Sequence, residues 1–179
     1  MKVVILFLRL SLFMFSIIFC NFVFKLKLIN FMKDKLRIFI DMDGVLSDFK
    51  KEADKISNEK RPDLVLDFST FDLIDGAKDG VNKLMNMGHD LFIASTPPWN
   101  NPEAWGHKRD WINEHFPELK RKIILTHRKD LLIGDILIDD TTFRGQKDFN
   151  GLFIHFGLGP KKMDWLQIID MFEKNKKLF

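Results

Sequence analysis

Two acidic pairs stand out by residue type and spacing. Asp41 and Asp43 lie two positions apart in "FIDMDGVLSDF" (39–49), and Asp139 and Asp140 are adjacent in "ILIDD" (136–140). Each pair follows a short apolar run, so each would sit at the dry end of a buried strand, where ionised carboxylates repel and need a counterion. Hard oxygen ligands with room for water suit Mg²⁺, held by Asp41 and one of Asp139 or Asp140 together with a substrate phosphate. A carboxylate placed there can attack phosphorus and form an aspartyl-phosphate that water later hydrolyses. That route needs a second carboxyl to protonate the leaving oxygen and then deprotonate the water. Asp43 is the candidate, with Gly44 allowing the turn that aims it back at the same space.

Other groups in the chain fit a phosphate. Ser95 or Thr96 can donate hydroxyl and backbone hydrogen bonds to its oxygens, and Lys129 can neutralise charge as a point cation. Lys108 shares a helical stripe with Ala104, Trp111 and Ile112, facing inward where a lysine is costly without an anionic partner. Each has a plainer reading: a turn for Asp139-Asp140, a loop start for Ser95-Thr96-Pro97, a solvated charge run for "HRKD", a snorkelling stem for Lys108. His107, His115, His127 and His155 read as structural or exposed. What sets the group apart is its common place at strand ends.

The elements that must position these residues alternate. "LRIFI" (36–40), "DLFIA" (90–94), "KIIL" (122–125), "ILI" (136–138) and "LFIHF" (152–156) read as buried strands. Helical spacing runs over 76–87, stopped by Gly88, and over 102–115, with Asn101 as cap and Pro102 in the first turn. A last helix is expected from about Met163 to Lys174. Such alternation implies an α/β three-layer domain with a central parallel sheet, whose site lies beyond the carboxyl ends of the strands. Residues 48–72 break the pattern, with "KKEADKISNEKRPD" as a possible short helix, and read as a small cap beside the site.

Bulk properties narrow the class. A chain of 179 residues suits one domain with a sizeable core. Its net charge of +3 is too small to suggest a nucleic-acid polymer as partner, and its one cysteine, Cys20, excludes an intramolecular disulfide framework. Residues 1–31 hold the apolar run "VVILFLRLSLFMFSIIFCNFVF" (3–24). Three readings stay open for it: translated sequence upstream of a true start at Met32, a membrane anchor, or a signal peptide. The lysines after the run would keep an anchored domain in the cytoplasm, and a cytoplasmic location is the expectation. Residues 32–179 form the expected domain.

The motifs also resemble a family. "DMDGV", "FIAS" or "IAST", Lys129 and "ILIDD" are similar, in order, to the four motifs of the haloacid dehalogenase (HAD) superfamily of aspartate-dependent phosphohydrolases. "DMDGVLSDF", "STPPWNNPEAWGHKRDWINEHFP", "IILTHRKDLLIGDILIDD" and the following "RG" resemble stretches of 5′(3′)-deoxyribonucleotidases, over most of residues 36–145. The resemblance implies a Rossmann-like HAD core with a cap inserted after the first strand. It implies Asp41 as nucleophile, and Asp43 as general acid/base with its main-chain carbonyl on Mg²⁺. Asp140 would be the other metal ligand, with Asp139 supporting it. Ser95 would take a position more often threonine in these nucleotidases; Thr96, Lys108 and Lys129 would hold phosphate, and Phe49 would line the substrate pocket. The departure is the cap, much shorter here than the helical insertion of that family, which leaves base and sugar selectivity open. Phe68, Phe71 and Trp99 are either an aromatic surface for a base or core residues.

The expected activity is therefore Mg²⁺-dependent hydrolysis of a small phosphomonoester, a deoxyribonucleoside monophosphate first. A general phosphatase of sugar phosphates and a non-catalytic, membrane-anchored phosphate- or partner-binding domain are the alternatives. A membrane partner depends on residues 3–24 being an anchor, and a homodimer is left open.

Overall fold

A computed structural model of the protein describes residues 35–58 and 66–176. The leader read at residues 1–31, and residues 59–65 of the expected cap, lie outside them. Five strands, β1 (Arg37–Ile40), β2 (Asp90–Ser95), β3 (Ile123–Leu125), β4 (Ile136–Asp139) and β5 (Leu152–His155), form one sheet in the order β3-β2-β1-β4-β5. Every neighbouring pair is parallel, as expected where strands are buried on both faces. Alternation along the strands puts Phe39, Ala94 and Leu137 on one face, packed with Leu132 and Phe149. Ile38, Ile40, Leu91, Ile93, Ile136 and Ile138 turn to the other face and are buried as well.

Four α-helices accompany the sheet among the described residues: α1 (Phe49–Asn58), α2 (Ala77–Asn86), α3 (Glu103–His115) and α4 (Trp165–Lys176). Helix α1 follows the first acidic pair directly, and Asp48 caps it by accepting from the Lys51 N–H at 3.0 Å. Asn101 caps α3 as its type suggests, accepting from the Ala104 N–H at 3.2 Å. The last helix begins two residues later than its apolar spacing implies, because Asp164 and Gln167 form a reciprocal cap, each side chain accepting from the other's N–H at 2.9–3.0 Å. Met163 is drawn instead into a bridge with Phe156. Helices α2 and α4 meet closely at Gly80, where a Cβ would overlap the Trp165 ring. Among the described residues no helix is long and apolar enough to cross a membrane.

Strand order reverses at β1, whose neighbours β2 and β4 lead to opposite edges of the sheet. The carboxyl ends of β1 and β4 therefore open a crevice, and both acidic pairs stand at it.

Candidate active site

The first strand runs straight into the site. The Asp41 N–H donates to the Ile138 carbonyl at 2.9 Å, extending the β1–β4 pairing to the acidic residue itself. The chain then coils around one acceptor: the N–H groups of Val45, Leu46 and Ser47 all donate to the Met42 carbonyl at 2.8–3.3 Å. Met42, Val45 and Leu46 are fully buried and anchor this turn from below. Gly44 adopts φ +76° within it, and a Cβ there would overlap the Asp140 carboxylate. Glycine is thus needed for backbone conformation and for the approach of β1's turn to β4's acidic end. The Trp165 indole N–H donates to the Val45 carbonyl at 2.9 Å, holding the turn against α4.

Lys129 organises the crevice. Only 1% exposed, it sits in a 3₁₀ turn (Lys129–Leu131) after β3, and its Nζ lies 3.0 Å from Asp41 Oδ2 and in contact with Asp139. Burial opposes its charge, but Asp41 and Asp139 outweigh burial and hold its pKa above the ordinary lysine value. Asp139 is saturated, also accepting from the Thr141 N–H at 2.9 Å, the Thr141 hydroxyl at 3.0 Å and Gln146 Nε2 at 3.1 and 3.2 Å. Gln146 is itself buried and takes the Arg144 N–H on Oε1.

A second lysine serves the second aspartate. Lys108, fully buried on α3, places Nζ against Asp43 Oδ2 and 3.0 Å from Ser95 Oγ. The Phe68 ring lies 4.5 Å beneath that ammonium, a cation–π contact. The inward stripe on α3 thus has the anionic partner its cost required. Helix α3 is fixed to the segment after α1 by the Trp111 indole N–H, which donates to the Phe71 carbonyl at 2.7 Å.

Direct contacts thus gather Asp41, Lys129 and Asp139 in one set and Asp43, Lys108 and Ser95 in another, and Asp140 joins the first as part of an acidic group. Asp41, Asp139 and Asp140 can each offer an oxygen within 4.8 Å of the others. Burial raises the Asp41 pKa from 3.8 to about 7, with Asp139 and Asp43 adding to it against the pull of Lys129. Burial, then Asp139, raises Asp140 to about 6. Three clustered carboxylates sharing one ammonium are short of positive charge, and their hard oxygens fit a divalent cation. Asp139 is engaged by Lys129, Thr141 and Gln146, and Asp41 by Lys129 and the Met42 N–H, so Asp41 and Asp140 keep more capacity for a cation.

Two candidates are less direct. The Thr96 hydroxyl donates to the Thr126 carbonyl at 2.8 Å, so it braces the β2 and β3 loops against each other. Phe49 stacks on Phe68, centroids 6.4 Å apart, and so borders the Lys108 side at one remove. Phe68 and Phe71 are core residues at 1% and 2% exposure, whereas Trp99 is 80% exposed. Sequence reasoning missed Gln146, Thr141 and Ser47, whose hydroxyl donates to Asp43 Oδ1 at 3.4 Å. Only the nearby "RG" (144–145) hinted that this turn mattered.

Comparison with known proteins places the chain among named relatives. A model of the family described as "5' nucleotidase, deoxy (Pyrimidine), cytosolic type C protein" matches residues 60–162. A protein of Vibrio phage KVP40, provisionally named a 5′(3′)-deoxyribonucleotidase, is 34% identical over 155 residues, covering 80% of this chain and 88% of its own. The human cytosolic-type 5′(3′)-deoxyribonucleotidase is 29% identical over 154 residues, 65% of this chain and 77% of the human one. The mouse mitochondrial 5′(3′)-deoxyribonucleotidase is 26% identical over 141 residues, 59% of this chain and 64% of the mouse one.

Proposed function

The chain belongs to the 5′(3′)-deoxyribonucleotidase family of the HAD superfamily, phosphoric monoester hydrolases, and from that premise we propose that it dephosphorylates deoxyribonucleoside monophosphates in a Mg²⁺-dependent reaction through Asp41. The observation that supports this reading most is the pairing of the two aspartates with different lysines, Asp41 with Lys129 and Asp43 with Lys108.

In this mechanism an Asp41 carboxylate oxygen attacks phosphorus as the bond from phosphorus to the sugar oxygen breaks, and Asp43 gives its proton to that departing oxygen. Asp43, now a carboxylate, takes a proton from water. The water oxygen then bonds to phosphorus and the bond to Asp41 breaks, releasing phosphate and restoring both groups. Asp41, Asp140 and the Asp43 main-chain carbonyl would hold Mg²⁺, with Asp139 in support, and the ion would offset phosphate charge. Lys129 orients Asp41, favours its charged form against burial and faces the phosphate, while Lys108 and Ser95, with Thr96, hold its oxygens from the α3 side. The described parts of the cap, residues 48–58 and 66–72, would cover the site, and Phe49 would line the substrate pocket.

The test is a substrate panel for the full chain: deoxyribonucleoside, ribonucleoside and sugar monophosphates, with Mg²⁺ and then with EDTA. The expected result is preference for deoxyribonucleotides, loss of turnover with chelator and recovery on adding Mg²⁺. Comparable kcat/KM values across the panel would overturn the nucleotidase reading and leave a general phosphatase.

A further inference from the structure

Trp99, Trp105 and His127 form an aromatic group that the mechanism above does not use. Trp99 is 80% exposed and Trp105 38%. The His127 ring stands edge-on to Trp99 with centroids 5.8 Å apart, and 6.2 Å from Trp105. Tryptophan left this open forgoes one of the largest burial gains available to a side chain, so an exposed cluster invites a flat apolar ligand.

Their places in the fold tie these rings to the site. Trp99 comes four residues after Ser95, the last residue of β2, and His127 two after Leu125, the last of β3. Both therefore lie at the carboxyl edge where β1 delivers Asp41. Trp105 precedes Lys108 by three positions, about one turn of α3. The loop with Trp99 is braced, since Asn101 Nδ2 donates to the Leu66 carbonyl at 3.1 Å and Thr96 ties β2's end to Thr126. β3 is two strands from β1, about 10 Å at ordinary strand spacing, a reach that a sugar and base can cover from a phosphate at Asp41. Phe49, by contrast, is partly covered by Phe68 and Phe71.

Resting on the nucleotidase reading, we propose that the Trp99–Trp105–His127 surface receives the nucleobase of the bound deoxyribonucleoside monophosphate by stacking. Every base has a π-face, so a stacking surface favours nucleotides over phosphomonoesters without a base while tolerating different bases. It would supply from the β2 and β3 loops what a longer cap could supply from above.

The test compares kcat/KM for deoxyuridine monophosphate with that for glycerol 2-phosphate, using the full chain and Mg²⁺. Trp99→Ala lowers the ratio of the two by about tenfold, Trp105→Ala lowers it less, and Trp99→Phe keeps most of it. A ratio unchanged in both alanine variants, with a parent that prefers the nucleotide, overturns this proposal alone. A parent with no such preference overturns the nucleotidase reading and this proposal with it.

Discussion

Lys129 and Lys108 are both buried, and each reaches one aspartate of the first-strand turn, but their surroundings differ. Lys129 is wedged between Asp41 and Asp139 in the β1–β4 crevice, and Asp139 is locked by Thr141 and Gln146. Lys108 comes from a helix, shares Asp43 with the Ser47 hydroxyl, and leaves the Asp43 side chain 21% exposed against 10% for Asp41. The tighter side suits a group that must attack along one line. The more open side suits a group that must pass a proton to the sugar oxygen and then take one from water. The sequence presents Asp41 and Asp43 as near equals, and their lysines tell them apart.

The sharpest way to break this contrast is to remove the charge on the tight side. Asp41→Asn keeps size and hydrogen-bonding shape but has no nucleophile, so kcat falls roughly 10⁴-fold or more in steady-state assays, with the circular dichroism spectrum retained. Asp43→Asn is expected to cost about 10²–10⁴-fold on nucleotides. It should cost less in the first step when the leaving group is p-nitrophenolate, which needs no proton; pre-steady-state release of nitrophenolate measures this. An equal loss on both substrates would remove the distinction between the two sides.

Gln146→Leu probes the locking of Asp139. The variant leaves a buried carboxylate short of one donor, which costs about 1–3 kcal/mol of stability, read by urea denaturation. Lys129 is then less firmly placed, so kcat should fall more than KM changes. Gln146→Glu should not rescue it, since it adds a fourth carboxylate.

The smallest effect concerns pH. Asp41 holds its proton to about pH 7 in the folded protein but releases it near 3.8 when unfolded. Between these values the unfolded state binds fewer protons, so this group's contribution makes the metal-free protein less stable as pH rises from about 4 to about 7. Asp41→Asn should therefore raise Tm in EDTA at pH 7.5 and lose that advantage near pH 4. Added Mg²⁺ should narrow the gap at neutral pH by stabilising the parent.

Much of this arrangement was legible because strand burial leaves a strong mark. "LRIFI" and "ILIDD" announce both the sheet and the acidic residues at its edge, and the stripe of Ala104, Lys108, Trp111 and Ile112 announces a buried lysine. The lysine's partner was not legible, since choosing Asp43 over Asp41 depends on how α3 crosses the sheet. Gln146 had no periodic signal, as a polar residue in "RGQKD" looks like any surface turn until Asp139 is seen behind it. Phe68 and Trp99 were equivalent as aromatic residues, and packing under α3 buried one while leaving the other open. The late start of α4 came from the side chains of Asp164 and Gln167, which outweighed the apolar spacing that began at Met163.

The central claim is that phosphorus passes through a bond to Asp41, and the stereochemical course at phosphorus tests it most directly. A deoxyribonucleoside monophosphate made chiral at phosphorus with sulfur and oxygen isotopes would be hydrolysed by the full chain in isotopically labelled water. Two in-line displacements, first by Asp41 and then by water, give net retention of configuration. Inversion would mean a single direct attack by water and would contradict the account.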